Sequence, residues 1–264
     1  MRLAFFGGIY NNYLALRAAV RDARSRGAEH LYCLGDLGAF GPHPDRVFDM
    51  IHEAGIDCIQ GNYDNSIGND LQDCQCGYTD PRDNYFAEIS YAYTYEKTSP
   101  PNRKWMRGLP GERRFEIDGL RFLLCHGSPR KTNEFLWEST TSTHFFDRLA
   151  DDAAADIILG THTGIHWQRN LKSGRKFINV GVLGRPENNG ATNVWYTLIK
   201  TGEDRENGHG VEVEFIPLDY DHDRLAREMR DEKLPEEFVE TVLTGWWTTC
   251  LEVLPAKERR RGRY

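Results

Sequence analysis

Four times in this chain a short apolar run stops at a glycine or cysteine and delivers a residue able to bind a metal. Leu31-Tyr32-Cys33-Leu34 ends in Gly35-Asp36, and Ile56-Asp57-Cys58-Ile59 leads to Gly61-Asn62-Tyr63-Asp64. Further on, Arg121-Phe122-Leu123-Leu124 ends in Cys125-His126-Gly127, and Asp156-Ile157-Ile158-Leu159 in Gly160-Thr161-His162-Thr163. Runs of this length and composition, closed by turn residues, read as buried strands. A carboxylate, an amide oxygen and imidazoles at the C-terminal ends of neighbouring strands converge where open α/β sheets hold their ligands. The N-terminal strand, Arg2 to Phe6, breaks the pattern. It ends in Gly7-Gly8-Ile9-Tyr10-Asn11-Asn12, with no carboxylate or histidine.

The first half alternates strand and helix. A helix is expected from about Tyr13 to Arg26, with Leu14, Leu16, Ala18, Ala19 and Ala23 turned inward and Gly27 as its stop. Another runs from Asp45 to Ala54, giving a βαβαβ start and a mainly parallel sheet. Residues 84–106 read as helical with a break at Ser99-Pro100-Pro101, and Asp118-Gly119 joins strands 112–117 and 120–125 as a hairpin. A helix near 142–150 precedes strand 156–159. Arg175–Val180, Asn193–Ile199 and Gly210–Pro217 read as strands of a second sheet, the last two separated by the loop Thr201–His209. From Asp221 to Leu254 the pattern is helical and amphipathic, broken at Leu234-Pro235 and Gly245. The organisation is thus a body of residues 1–220 and a helical extension of 221–264. Trp246, Trp247 and Leu251 are available to pack it onto the body or onto another subunit.

With 264 residues the chain can bury a sizeable core, and its net charge of −7 argues against a nucleic-acid partner. The one dense basic cluster, Lys257 to Arg263, reads as a solvated terminus. No apolar run approaches the ~20 residues that span a bilayer, and no secretory leader precedes the first strand, so a cytoplasmic protein is expected. Its six cysteines are then expected to be mostly reduced. Cys33, Cys58 and Cys125 fall in strands as small core residues. Cys74-Gln75-Cys76 lies in the polar, irregular stretch 65–82, close enough to arch over the strand ends.

The ordered set Gly35-Asp36, Gly61-Asn62-Tyr63-Asp64, His126-Gly127 and Gly160-Thr161-His162-Thr163, followed by Asn179-Val180-Gly181 and Gly184-Arg185-Pro186, resembles the calcineurin-like metallophosphoesterase superfamily. Within it, the small prokaryotic phosphodiesterase branch is most similar. The likeness extends to about residue 220 and implies a four-layer α/β/β/α sandwich with two metal ions at the strand ends, here followed by a C-terminal helical extension.

The resemblance also implies specific ligands. The first ion would use the Asp and His of an opening Asp-x-His motif, the bridging Asp and the last His of a closing Gly-His-x-His motif. Laid on this chain, the opening positions fall on Gly8 and Tyr10. The closing motif aligns in two ways: without a gap its histidines fall on Thr161 and Thr163, and with one inserted residue they fall on His162 and Gly164. The second alignment keeps His162. It leaves the first ion with Asp36 alone, while the second keeps Asp36, Asn62, His126 and His162, with His166 as the alternative fourth ligand.

One carboxylate, one amide oxygen and two imidazoles suit a single Fe, Mn, Zn, Co or Ni ion better than magnesium or calcium. The resulting charge near +1 attracts a small anionic or phosphorylated substrate. One ion cannot form the clamp in which two metals, ~3.5–4 Å apart, hold attacking and leaving oxygens. The expected function is therefore a one-metal phosphodiesterase or phosphatase. A non-hydrolytic mononuclear lyase or redox enzyme, and an inactive ligand- or partner-binding homologue, remain as alternatives. Around the ion, Tyr63 stands where related phosphatases carry a catalytic His, and Asp64 is placed to orient a histidine or the loop. Tyr10 can fill the vacated first-metal space or hold a ligand there, and Arg185 can stabilise developing charge. Arg130 and Glu134 adjoin His126 as further pocket groups, and a homo-oligomer is compatible with the aromatic extension.

Overall fold

The computed structural model describes residues 1–204 and 208–259; Arg260, Arg261 and Arg263 of the basic tail, and the centre of the 201–209 loop, lie outside them. Among the described residues, ten strands form two mixed five-stranded sheets. The first has the order β10-β9-β1-β2-β3, from β1 (Arg2–Phe6), β2 (His30–Cys33), β3 (Asp57–Cys58), β9 (Val194–Asp204) and β10 (Gly208–Leu218). The second has the order β4-β5-β6-β8-β7, from β4 (Glu112–Ile117), β5 (Leu120–Cys125), β6 (Ile157–Gly160), β7 (His166–Asn170) and β8 (Lys176–Val180). β1, β2 and β3 run parallel, as do β5, β6 and β8. The four segments that carry the candidate ligands therefore emerge at the C-terminal ends of β2, β3, β5 and β6.

Each central strand is apolar on both faces, and this builds the layers. Leu3 and Phe5 meet Phe122, Leu124, Leu159 and Ile178 between the sheets. Four rings cross that interior in one stack, Phe5 on Tyr32 at 5.2 Å, Tyr32 on Phe115 at 5.0 Å and Phe115 on Phe122 at 5.1 Å. On the outer face of the first sheet, Ala4 and Phe6 pack under α1 (Tyr13–Ser25) and α2 (Asp45–Ala54). On the outer face of the second, Leu123, Ile158 and Phe177 pack under α6 (Thr143–Ala153). The result is the expected helix, sheet, sheet, helix order. Asn12 starts α1 by accepting the Ala15 N–H at 3.0 Å, which anchors the helix immediately after the glycine loop of β1.

Two strand assignments change. β9 and β10 belong to the first sheet, not the second: β9 pairs antiparallel with β1, Leu3 opposite Ile199. The reason is two-sided burial, since β9 sends Tyr196 and Leu198 toward the helices and Ile199 between the sheets. β7 has no apolar signature in His166-Trp167-Gln168-Arg169-Asn170 and forms because its backbone pairs antiparallel with β8 at the sheet edge. The helix expected at 84–106 is α4 (Pro81–Lys97) followed by α5 (Pro100–Arg107), with α3 (Asn62–Gly68) before them.

The extension folds back as α7 (His222–Asp231) and α8 (Glu236–Thr244), with a short α9 (Ala256–Arg259) near its end. Trp247 is buried with Trp137, Ile165 and Leu254, and donates its indole N–H to the Pro186 carbonyl at 2.6 Å. The aromatic residues pack on the body. Among the described residues no helix is long and apolar enough to cross a membrane.

Phe122 is 1% exposed and ends the inter-sheet stack. Phe122→Ala is expected to cost about 3–5 kcal/mol of unfolding free energy, measured by urea titration against the wild type.

Candidate metal centre

The loops after β2 and β3 pass backbone against backbone, which explains both glycines. A Cβ on Gly35 would lie 2.2 Å from the Gly61 nitrogen, and one on Gly61 would lie 2.4 Å from both the Asp36 nitrogen and its Oδ1. Asp64, fully buried, ties the two loops together. It accepts the N–H of Asp36 at 2.7 Å and of Gly61 at 2.8 Å on Oδ2, and that of Leu37 at 3.1 Å on Oδ1. This holds Asp36 in the left-handed region, at φ 56, where a non-glycine residue stays only under such constraint. The Asp36 side chain then points toward the second sheet, with Oδ1 accepting the Tyr63 N–H at 3.0 Å and Oδ2 lying 3.2 Å from His126 Nε2.

His126 reaches across from β5. Its Nδ1 donates to the Leu34 carbonyl at 2.6 Å, which fixes the tautomer and turns the Nε2 lone pair toward Asp36. His162, also left-handed at φ 68, brings its Nδ1 to 3.2 Å from that same Nε2. One donor atom from each of Asp36, His126 and His162 lies within 4.8 Å of the others. Asn62 gives its amide N–H to the Cys74 carbonyl at 2.9 Å, which leaves Oδ1 buried without a partner; His162 Nε2 is likewise unpartnered.

These observations suit a cation. Two imidazole lone pairs and a carboxylate so close repel one another unless positive charge lies between them. Burial lowers the affinity of His126 for a proton, but the Asp36 charge and hydrogen bond more than offset it, so its pKa rises above the ordinary value. Burial and the neighbouring His126 push His162 down to about 3. The pair therefore accepts one positive charge and resists a second.

Tyr10, Asp36, Asn62, Tyr63, His162 and Arg185 line one cavity, with His126 just behind His162. Tyr63 hydrogen-bonds the Ala87 carbonyl at 3.4 Å. Asp64 sits behind the donor group as a tie between loops, its pKa raised to about 6 by burial and the Asp36 charge. His166 lies away from the group, its Nδ1 2.6 Å from Glu187 and its ring against Trp195 and Phe215. Arg130 and Glu134 pair with each other at 3.7 Å, with Arg130 exposed. Cys74 and Cys76 are joined in a disulfide, which overturns the expectation of reduced loop thiols; the bend at Gln75, φ 51, brings them together. Cys76 Sγ lies 3.4 Å from the Asn62 amide nitrogen. Tyr78, Phe86, Phe238, Thr249 and Cys250 are among the other lining residues, and no local pattern marked them.

Residues 1–203 match the calcineurin-like phosphoesterase superfamily domain. The chain belongs to that superfamily. An uncharacterised protein of Methanocaldococcus jannaschii is 22% identical to this phosphoesterase-superfamily chain over 92% of it and 98% of its own length. Among solved structures, a hypothetical protein of Pyrococcus horikoshii aligns with a TM-score of 0.74 at 22% identity, covering 94% of this chain and 99% of that one. A metallophosphoesterase of Sphaerobacter thermophilus aligns at 0.68 and 21%, covering 93% and 99%. These likenesses carry the superfamily fold, including two sheets flanked by helices and the C-terminal helices.

Asp64→Ala leaves three buried N–H groups without their acceptor, each worth about 1–3 kcal/mol, so a loss of about 3 kcal/mol or more is expected in urea unfolding. In metal-free protein, the depressed His162 pKa makes a contribution present above its unfolded value near ~6.5 and lost as pH falls toward 3. Between pH 7 and 4 the stability of the wild type relative to His162→Phe should fall as the pH is lowered, read from urea titrations of both proteins.

Proposed function

We propose that this chain is a metal-dependent phosphoesterase using one divalent transition-metal ion, held by Asp36, Asn62, His126 and His162, on a small phosphorylated or otherwise anionic substrate. The observation that carries this reading is the convergence of the Asp36, His126 and His162 donors within 4.8 Å. The orphaned Asn62 oxygen points to a fourth. An ion there, when bound, polarises a phosphoryl oxygen and lowers the pKa of water.

Crowding supports one ion over two. A Cβ at Gly8 would meet the Tyr10 ring at 2.5 Å, and one at Gly164 would meet the Trp247 indole at 2.9 Å. A carboxylate or imidazole has no room at either position. The chain's own groups then divide the work. Asp64 positions Asp36 and the Gly61 turn, and Leu34 holds His126 in its metal-ready tautomer. Burial pushes the Tyr10 and Tyr63 hydroxyls well above their usual pKa, so they stay protonated and act as donors or packing groups, not as bases. Arg185 supplies positive charge against an anion.

A second reading, a non-hydrolytic lyase or redox enzyme on the same ion, is favoured by sulfur at the site. The Cys74–Cys76 disulfide touches Asn62, and Cys250 stands on the cavity wall. Redox-silent zinc as the sole ion in protein taken from cells would remove its redox form. An inactive binding homologue would show no turnover that depends on Asn62 or His126.

Metal analysis of protein purified without a metal-affinity tag should find about one ion per chain, falling to near zero in Asp36→Ala and His126→Ala. Two ions per chain would refute the one-metal reading. Hydrolysis of a simple aryl phosphodiester should fall in the same variants, and in Asp64→Asn metal affinity should drop about 10–100-fold. Unchanged hydrolysis in Asp36→Ala would overturn the mechanism.

A further inference from the structure

Arg185 is an unusual cation. It is 7% exposed, and among the described residues no carboxylate comes within 4.0 Å of its guanidinium. Its Nε is buried with no hydrogen-bond partner. A guanidinium cannot shed its proton inside a protein as a buried lysine can, so burial leaves a charge requiring compensation. The surroundings compensate only in part. Its Cζ lies 3.6 Å from the centre of the Trp247 ring, with the Tyr10 and Phe40 rings at 5.8 and 6.0 Å. Such contacts attract a cation without neutralising it. The polar groups acting on it are the Cys250 thiol, which can accept a hydrogen bond from it, the Tyr10 and Tyr78 hydroxyls and, beyond ion-pair distance, the buried Asp83 carboxylate.

The position of this charge gives it a use. Arg185 faces the same cavity as Asp36, Asn62 and His162, and the Tyr10 hydroxyl feels both the Arg185 and the Asp36 charges. Arg185 also borders the crowded positions: its Nη2 would lie 3.4 Å from a Cβ on Gly164. The chain thus places a fixed cation beside positions where no further metal ligand fits. The cavity has a volume of about 50 Å³. That is room for a compact oxyanion beside the guanidinium, with the rest of a larger ester extending through the open side of the cavity.

We propose that Arg185 forms the anion-binding half of this cavity. A compact oxyanion, either free or as the head of a small ester, binds between its guanidinium and the Asp36, Asn62, His126 and His162 group. Arg185 takes the place of a second cation. Its planar donor fork suits two oxygens of one tetrahedral group, while Trp247 on one face and Tyr10 nearby keep it from turning away. The anion-binding function of Arg185 stands on its burial, its orphaned Nε and the absence, among the described residues, of a carboxylate within ion-pair distance; only the opposite half of the cradle rests on the one-metal reading above.

The test is calorimetric titration with inorganic phosphate of wild-type protein, Arg185→Gln and Arg185→Lys. Each is measured after chelator treatment and again after metal reloading, with metal content determined on the same samples. Removing a charged hydrogen-bond donor from a buried anion costs enough to weaken binding about tenfold or more. That loss is expected for Arg185→Gln in both metal states, with ions per chain unchanged. Arg185→Lys, which keeps the charge but not the fork, should bind with intermediate affinity and carries the test if the glutamine variant does not fold. Phosphate affinity within twofold of wild type in either folded variant would overturn the proposal. Arg185-dependent phosphate binding by a protein that never takes up metal would leave this proposal standing and refute the one-metal reading; one ion per chain with Arg185-independent phosphate binding would do the reverse.

Discussion

The site depends on one buried carboxylate that belongs neither to the donor cluster nor to the cavity lining. Asp64 gathers three backbone N–H groups from two loops, and those bonds convert two independent strand ends into one rigid floor. Without them Asp36 would have no reason to hold a left-handed backbone, and its carboxylate would not face the second sheet. The cost is a carboxylate buried beside another carboxylate, which raises its pKa to about 6. Three charge-assisted hydrogen bonds offset that cost. The two acids of the Gly-Asp and Gly-Asn-Tyr-Asp segments thus divide the work: Asp64 positions the loops, and Asp36 presents an oxygen to the donor group.

At the site the two sheets meet through His126, which makes polar contacts with both Leu34 and Asp36. His126, from β5, donates to the Leu34 carbonyl beyond the end of β2, while behind it the interface is apolar and ring-stacked. The stack sets the sheet separation and the hydrogen bond sets the imidazole's direction. Together they bring His126 and Asp36 to 3.2 Å. The same rigidity leaves little freedom to accommodate a misplaced ligand, so small changes in packing at Phe115 or Phe122 are felt at the strand ends.

Much of this could be read locally. Gly35-Asp36, Gly61-Asn62, His126 and His162 were visible because each follows an apolar run of strand length, and strand ends are where an α/β sheet converges. The hairpin at Asp118-Gly119 and the helix from Asp45 to Ala54 were equally plain, since a turn dipeptide and a glycine stop act over a few residues. The sheet membership of β9 and β10 was not legible, because apolar residues on both faces suit either sheet. β7 was hidden by its polar composition, and the Cys74–Cys76 pairing by a bend that only the folded loop makes.

What the sequence determined alone was the superfamily fold and the set of side chains that meet at its strand ends, because both follow from short patterns whose physics is local. The tertiary structure decided the character of the cavity. It brought Phe238, Trp247, Thr249 and Cys250 from the C-terminal extension to within contact of residues more than 50 positions earlier. It placed Trp247 against Arg185 and Gly164, and it left the Arg185 charge buried without a carboxylate partner among the described residues. No periodicity or spacing encodes that outcome. It arises because the extension must bury its tryptophan somewhere, and the open mouth of the strand ends offers the apolar surface to do so.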